Sequence, residues 1–236
     1  MTVRRLLLLS NSTQHGGGYL DHAMEEIRAR LDGIRRVLFV PFALHDRAGY
    51  AKKFRQRLGQ EGIEVDELAV DGAGIRQVEG AEAFFVGGGN TFRLLRALQV
   101  SRLLGPMRQR ALAGVPYLGA SAGINLAGPT IRTTNDMPIV EPLGFDALGL
   151  VPFQINPHYL DPDPGSTHMG ETREQRLAEF LEENDRVVVG LREGGWIRVD
   201  GARGALGGLR GARIFRRGAE PEERAAGAPL DDLLAG

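Results

Sequence analysis

A serine flanked by glycines is the clearest candidate for chemistry in this chain. Ser121 stands between Gly119 and Gly123 in a G-x-S-x-G motif that follows the apolar residues 115–118. A strand that turns directly into a helix strains the backbone of the serine and leaves room only for small neighbours. The spacing therefore predicts a nucleophilic serine with the Ala122 amide, at the helix N-terminus, directed toward an oxyanion. Because the chain has 33 glycines, a chance match is the alternative interpretation.

A second glycine-rich segment, residues 87–89, follows another apolar strand pattern. It lacks the Lys-Ser/Thr pair of a phosphate-binding loop and the full spacing of a dinucleotide fingerprint. We expect this backbone to approach the serine closely and to supply the second amide of an oxyanion hole. The alternative is a tight strand-to-helix turn capped by Asn90 or Thr91.

A serine nucleophile needs a base, and the chain contains five histidines. His158 is the preferred candidate because Asn156 and Pro157 stiffen the chain before it and restrict the direction of the imidazole. Of the other four, His22 lies in a helical pattern, and His168 lies in a Gly/Ser/Thr loop. His15 and His45 follow strands, but the sequence suggests no acidic partner for either.

The acid that orients the base has two candidates. Asp136 lies between the serine and the histidine in the chain, and Glu193 follows a strongly apolar strand pattern. Either can hold an imidazole in the required tautomer, because triads are defined by geometry and not by chain order. We expect Glu193 to contact Nδ1 of His158 and Asp136 to have a structural or supporting role.

Length, charge and cysteine content argue against several classes of partner and of catalytic chemistry. The chain has 236 residues, 29 basic and 30 acidic side chains and no cysteine. This length predicts a single domain. The balanced charge argues against nucleic acid or an anionic membrane as a partner. Without cysteine there are no disulfides, thiolate metal sites or cysteine nucleophiles. We expect no metal and no cofactor.

No apolar stretch approaches the ~18 residues of a membrane span. The apolar residues 6–9 are too few for a signal peptide and fit a buried first strand. We therefore expect a cytoplasmic protein.

Short apolar strands alternate with amphipathic helical patterns, which predicts an α/β fold with a mostly parallel sheet and helices on both faces. We expect strands at 6–10, 37–42, 63–70, 83–86, 115–118 and 186–191, with hairpins over 196–215. We expect helices at 19–31, 47–60, 91–98, 103–113 and 171–183. Residues 130–160 should form loops and short strands around the site, and residues 219–236 a weakly structured tail.

Six segments together closely resemble the peptidase E family of α-aspartyl dipeptidases. They are residues 6–13, 85–92, 119–123, 130–140, 154–158 and 170–176. The resemblance implies a serine peptidase with a class I glutamine amidotransferase-like, flavodoxin-like fold that cleaves dipeptides with an N-terminal aspartate. It implies Ser121 as nucleophile and His158 as base. It also implies oxyanion donors at Gly88, Gly89 and Ala122.

Selectivity for aspartate calls for a buried cation. We expect Arg173 to hold the β-carboxylate of the substrate in two parallel hydrogen bonds, and Asn11 and Asn90, which follow strands, to contact the substrate. An ordinary position in the first turn of a helix is the alternative for Arg173.

Two rival functions are a cyanophycinase-like serine peptidase and a non-catalytic binding module of the same fold. The expected partner is a small dipeptide, and a homodimer is one expectation for the assembly. The sequence does not decide the oligomeric state.

Overall fold

The computed structural model describes residues 4–163, 165, 167 and 169–235. In chain order the elements are β1 (Arg5–Leu9), a 3₁₀ turn (Asp21–Ala23), α1 (Met24–Arg30), β2 (Arg36–Val40), α2 (Arg47–Gly59), β3 (Glu64–Glu67), α3 (Gly72–Glu79), β4 (Phe84–Val86), α4 (Thr91–Val100), α5 (Leu104–Leu112), β5 (Tyr117–Ala120), α6 (Ala122–Ala127), β6 (Gln154–Tyr159), α7 (Arg173–Glu183), β7 (Val188–Arg192), β8 (Gly195–Asp200), β9 (Arg203–Gly208), β10 (Ala212–Phe215), β11 (Glu222–Arg224) and α8 (Asp231–Leu234).

A seven-stranded sheet with the order β3-β2-β4-β5-β1-β8-β9 forms the centre of the fold. Its first five strands in sequence are mutually parallel, and β8 and β9 add an antiparallel edge. Side chains alternate between the two faces, so Leu6 and Leu8 join one apolar cluster and Leu7 and Leu9 the other. All four leucines are fully buried because helices cover both faces. The predicted α/β class is confirmed.

A second sheet of four strands carries part of the site. Its order is β11-β10-β7-β6, with β6 and β7 parallel. The predicted hairpin chain over 196–215 is therefore only partly right, because β8 pairs with β9 but β10 pairs with β7. Gly208, at a φ of 92°, ends β9. In β10, the buried Ala212 and Ile214 pack in the same apolar cluster as Leu6 and Leu8.

Two further segments differ from expectation. Helix α3 was not predicted because Gly72 and Gly74 weaken its helical pattern, although Asp71 caps its first turn. Residues 219–235 are not a loose tail, since they contain β11 and α8 and bury Leu230. Within the described ranges, no helix has the length and apolar character needed to cross a membrane.

Candidate active site

Ser121 occupies the sharp turn between β5 and α6. Its backbone has a φ of 52° and a ψ of −110°, a strained conformation for a residue with a side chain. The flanking glycines permit this turn. A Cβ on Gly123 would lie 2.3 Å from the carbonyl oxygen of Val86, and one on Gly119 would lie 2.8 Å from the carbonyl oxygen of Gly123. The glycine spacing is therefore a steric requirement of the turn.

His158 lies inside strand β6. The register of β6 on β7 shifts between Pro157 and Tyr159, so His158 is the extra residue of a bulge and has a φ of 52°. Its amide donates to Ser10 Oγ at 2.9 Å, and that hydroxyl donates to the carbonyl of Leu191 at 2.8 Å. Ser10 thereby holds the bulge against the ends of β1 and β7.

Three side chains from three different elements meet at the serine. His158 Nε2 lies 2.9 Å from Ser121 Oγ, and His158 Nδ1 lies 2.6 Å from Glu193 Oε1. Glu193 follows β7 in the tight turn to β8. This chain of hydrogen bonds has the geometry of a nucleophile, a base and an orienting acid. The candidate base His168 lies outside the described residues.

Asp136 makes no hydrogen bond to His158. One of its carboxylate oxygens accepts from the Thr91 amide at 2.8 Å, from Thr91 Oγ1 at 2.5 Å and from Thr134 Oγ1 at 3.0 Å. An acidic group at the start of a helix is stabilised by the free amides and dipole there. Asp136 therefore anchors the loop after α6 to the N-terminus of α4, and Glu193 is the carboxylate beside the histidine.

The glycine run passes directly beside the nucleophile, since a Cβ on Gly88 would lie 3.1 Å from Ser121 Cβ. However, the Gly88 amide donates to Tyr50 Oη at 2.9 Å, so it is engaged and does not point freely at an oxyanion. This corrects the assignment of Gly88. Gly89, with a φ of 132°, and Ala122, the first residue of α6, remain the candidate donors.

Sequence reasoning missed Tyr50. A Cβ on Gly87 would lie 2.6 Å from its hydroxyl, so Tyr50 packs tightly on the glycine run. Burial raises the pKa of the Tyr50 hydroxyl, and its hydrogen bonds with Tyr19 and the Gly88 amide act in the opposite direction. In sequence Tyr50 is one more apolar position of helix α2, and nothing distinguishes it from a core residue.

The two asparagines predicted to bind substrate are engaged within the protein. Asn11 Oδ1 accepts from the Gly194 amide at 2.9 Å and thereby braces the turn that carries Glu193. Asn90 Oδ1 caps α4 through the Arg93 amide at 3.0 Å, while its Nδ2 donates to the carbonyl of Met137 at 2.8 Å. Their contacts indicate positioning roles.

Arg173 is the first residue of α7 and is half-buried. Burial lowers the pKa of its guanidinium, Arg176 lowers it further, and the Asp136 carboxylate partly offsets both effects. Among the residues that the structure describes, no carboxylate lies within 4 Å of it. Arg173 does not line the cleft that holds Ser121.

That cleft has a volume of about 500 Å³ and opens at the carboxyl ends of the central strands, where open α/β sheets bind ligands. Ser121, His158 and Glu193 all line it. Residues of the segment after β1 and of α2, including Tyr19 and Lys53, also line the cleft. A larger cavity of about 640 Å³ lies between α7 and the segment after β10, and none of the predicted site residues line it.

Comparison with known proteins finds relatives that match nearly the whole chain. The family model Peptidase family S51 matches residues 6–206. Peptidase E of Streptomyces coelicolor is 58% identical over 97% of this chain and 94% of its own length. A Drosophila melanogaster protein named "Probable alpha-aspartyl dipeptidase" is 47% identical over 98% of this chain and 97% of its own length. The crystal structure of a peptidase from an acI-B1 Actinobacterium shares the fold, with a TM-score of 0.68, 18% identity and 97% coverage of both chains.

Proposed function

Because the chain belongs to peptidase family S51 and is a serine-type peptidase, we propose that it hydrolyses dipeptides with an N-terminal aspartate. The observation that carries this proposal is the hydrogen-bonded series Ser121, His158 and Glu193, with distances of 2.9 and 2.6 Å. Relatives that align over nearly their whole length are named peptidase E and alpha-aspartyl dipeptidase, which supports the substrate class.

The reaction is an acyl transfer through a covalent intermediate. His158 Nε2 takes the proton of Ser121 Oγ as the oxygen attacks the aspartyl carbonyl carbon. Glu193 accepts a hydrogen bond from Nδ1–H, which fixes the tautomer and stabilises the imidazolium. The amides of Gly89 and Ala122 donate to the oxyanion.

Collapse of the tetrahedral intermediate breaks the peptide C–N bond. His158 gives its proton to the departing amine, and the free second amino acid leaves. Water then loses a proton to His158 as it attacks the acyl-enzyme, and a second collapse returns the proton to Ser121 and releases aspartate.

In this proposal, Arg173 makes the enzyme selective for aspartate. A half-buried guanidinium without a carboxylate partner among the described residues is suited to a planar, bidentate contact with the β-carboxylate. Its charge interacts with Asp136, which anchors the start of α4, the helix that directly follows the glycine run. The charge interaction with Asp136 therefore places Arg173 near the start of α4.

A dipeptide panel tests the function. Asp-Leu should exceed Asn-Leu by at least ~30-fold in kcat/KM, because the amide loses a charge-assisted contact with the half-buried guanidinium of Arg173. Glu-Leu should also be poor, because its longer side chain displaces the scissile carbonyl from Ser121. No measurable cleavage of Asp-Leu would contradict the proposal.

The variant Arg173→Met should collapse the difference between Asp-Leu and Asn-Leu while it leaves slow residual turnover. Arg176→Met is the matched control, because Arg176 lies on the same helix, is exposed and faces Glu171 at 3.4 Å. An Arg173→Met enzyme with its full preference for aspartate would place the selective cation elsewhere.

The two rival functions are not favoured by the full-length matches to dipeptidases. A cyanophycinase-like activity would appear as release of products from an aspartyl-arginine polymer. A non-catalytic module would fail to react with an active-site serine probe.

A cytoplasmic location is also part of the proposal. Its support is that the apolar residues Leu6 to Leu9 form the buried strand β1, between β5 and β8 of the folded protein. Cell fractionation tests it, and gel filtration tests the proposed homodimer.

A further inference from the structure

One cation in the active-site cleft has no role in the reaction described so far. Lys53 lies on α2, one turn after Tyr50, and lines the same cleft as Ser121 and His158. Its ammonium is 4.5 Å from the centre of the Tyr19 ring. In the described part of the chain, no carboxylate lies within 4 Å of it. Tyr19 therefore positions an exposed positive charge at the cleft by a cation–π contact.

The acidic groups of this cleft are already engaged. Glu193 holds His158 at 2.6 Å, and Asp46 caps α2 by accepting from the Gly49 amide at 2.9 Å. Among the described residues that line the cleft, Lys53 is therefore the charged side chain that is available to a ligand, and it favours an anionic group.

A dipeptide substrate offers such a group at a fixed place. Its second residue ends in a carboxylate whose carbon lies only ~4 Å from the scissile carbonyl carbon, because the two are joined through one N–Cα unit. In a longer peptide the same position is a neutral amide. A cation near the leaving residue therefore distinguishes dipeptides from longer chains by charge.

We propose that Lys53 binds the C-terminal carboxylate of the substrate and so makes the enzyme selective for dipeptides. This inference rests on the proposed function. The proposed function assigns the β-carboxylate of aspartate to Arg173, so the two carboxylates of the substrate have separate cations. Since Lys53 is exposed, solvent weakens the contact, and its effect is smaller than that of a buried pair.

The test compares kcat/KM for Asp-Leu and for Asp-Leu amide, which lacks the terminal charge. The wild-type enzyme should prefer the free acid by about 5- to 20-fold, in the range of charge-assisted contacts that solvent partly screens. Lys53→Met and Lys53→Gln should lower the rate on Asp-Leu and leave the rate on the amide unchanged, so that the preference falls below ~2-fold.

Lys52→Met is the matched control. Lys52 is the adjacent residue on α2, is also exposed, and does not line the cleft. It should retain the full preference for the free acid. The Asp-Leu to Asn-Leu ratio should be unchanged in all three variants, because Lys53 does not contact the β-carboxylate.

Three results would overturn the inference. The first is equal cleavage of acid and amide by the wild type. The second is a Lys53 variant, folded by its thermal midpoint, that keeps the preference. The third is a loss of the Asp-to-Asn preference in the Lys53 variants, which would assign Lys53 to the β-carboxylate. A wild-type enzyme inactive on Asp-Leu would instead contradict the proposed function itself, and this inference with it.

Discussion

The nucleophile and its base are held in place by different kinds of interaction. Ser121 is fixed by the backbone, because Gly119 and Gly123 allow β5, α6 and β4 to approach within distances that no Cβ would permit. His158 and Glu193 are fixed by side chains from other parts of the chain. Ser10 holds the bulge that carries His158, and Asn11 holds the turn that carries Glu193.

An ion-pair network also helps to hold the region that contains His158 and Glu193. Arg192, directly before Glu193, donates two hydrogen bonds to Asp161, at 2.7 and 2.6 Å, and others to Glu223 in β11. It thereby ties the segment after His158 to the strand that leads to Glu193. Hydrogen bonds to Asp161 and Glu223 raise the pKa of Arg192. The hydrogen bonds from Arg192 in turn hold the pKa of Asp161 below its usual range.

This difference predicts how the serine turn and the region of His158 and Glu193 respond to added volume, pH and salt. Steric placement of the serine responds to added volume and hardly to pH or salt. Placement of the base and the acid depends on hydrogen bonds and charges, so it should respond to changes that leave volume almost unaltered.

The largest expected effect is chemical removal of the nucleophile. Ser121→Ala should lower kcat by about 10³- to 10⁶-fold, because the other members of a triad cannot act without it. The fold should persist, since alanine adds no atoms. Steady-state kinetics and circular dichroism measure the two outcomes, and a variant that keeps a tenth of wild-type turnover would remove Ser121 from the mechanism.

Replacing each carboxylate by its amide separates the two candidate acids. Glu193→Gln should reduce kcat by roughly 10²- to 10⁴-fold, because an amide no longer stabilises the imidazolium or enforces its tautomer. Asp136→Asn should lower stability by about 1–3 kcal/mol through weaker hydrogen bonds at the start of α4. Its kcat should change less than that of Glu193→Gln. The reverse order of kcat values would assign the acid to Asp136.

A single methyl group tests the steric region. In Gly123→Ala the new Cβ would lie 2.3 Å from the carbonyl oxygen of Val86, which is backbone and cannot rotate away. We expect a loss of about 1–3 kcal/mol in the free energy of unfolding and a fall in kcat of at least tenfold. Gly59→Ala is the control, since its added Cβ meets nothing within 4 Å at the end of α2. Equal behaviour of the two variants would argue against a steric elbow.

The ion-pair network can be broken without touching the triad. Arg192→Met should lower kcat by roughly 5- to 20-fold through small displacements of His158 and Glu193, with KM almost unchanged. Arg192→Lys should recover part of the loss. Arg224→Met is the matched control, because Arg224 pairs with Glu222 and Asp232 away from the site. If Arg224→Met loses as much kcat, the effect of Arg192 is only one of stability.

The smallest effect concerns pH. Because folding lowers the pKa of Asp161, its pairing with Arg192 stabilises the protein fully above the ordinary aspartate pKa of about 3.9. This contribution is lost as the pH falls through the lowered pKa. The difference in thermal midpoint between the wild type and Asp161→Asn should therefore be constant from pH 7 to 5 and shrink below pH 4. A difference that grows toward low pH would contradict this sign.

The sequence by itself determined the features that depend on neighbouring residues. The alternation of apolar strands and amphipathic helices gave the α/β class, and the glycines around Ser121 gave the turn, since both reflect local sterics and periodicity. The order of β8, β9 and β10 was not accessible in this way. Consecutive strands look alike in sequence whether they pair with each other or with different sheets.

Only the tertiary structure decided which side chains meet across long separations. It placed Glu193 and not Asp136 beside His158, engaged the Gly88 amide with Tyr50, and used Asn11 and Asn90 as internal braces. Each of these residues carries groups that suit several roles. The choice among those roles depends on distances that are set by packing of the whole chain. The spacing of residues along the sequence does not give these distances.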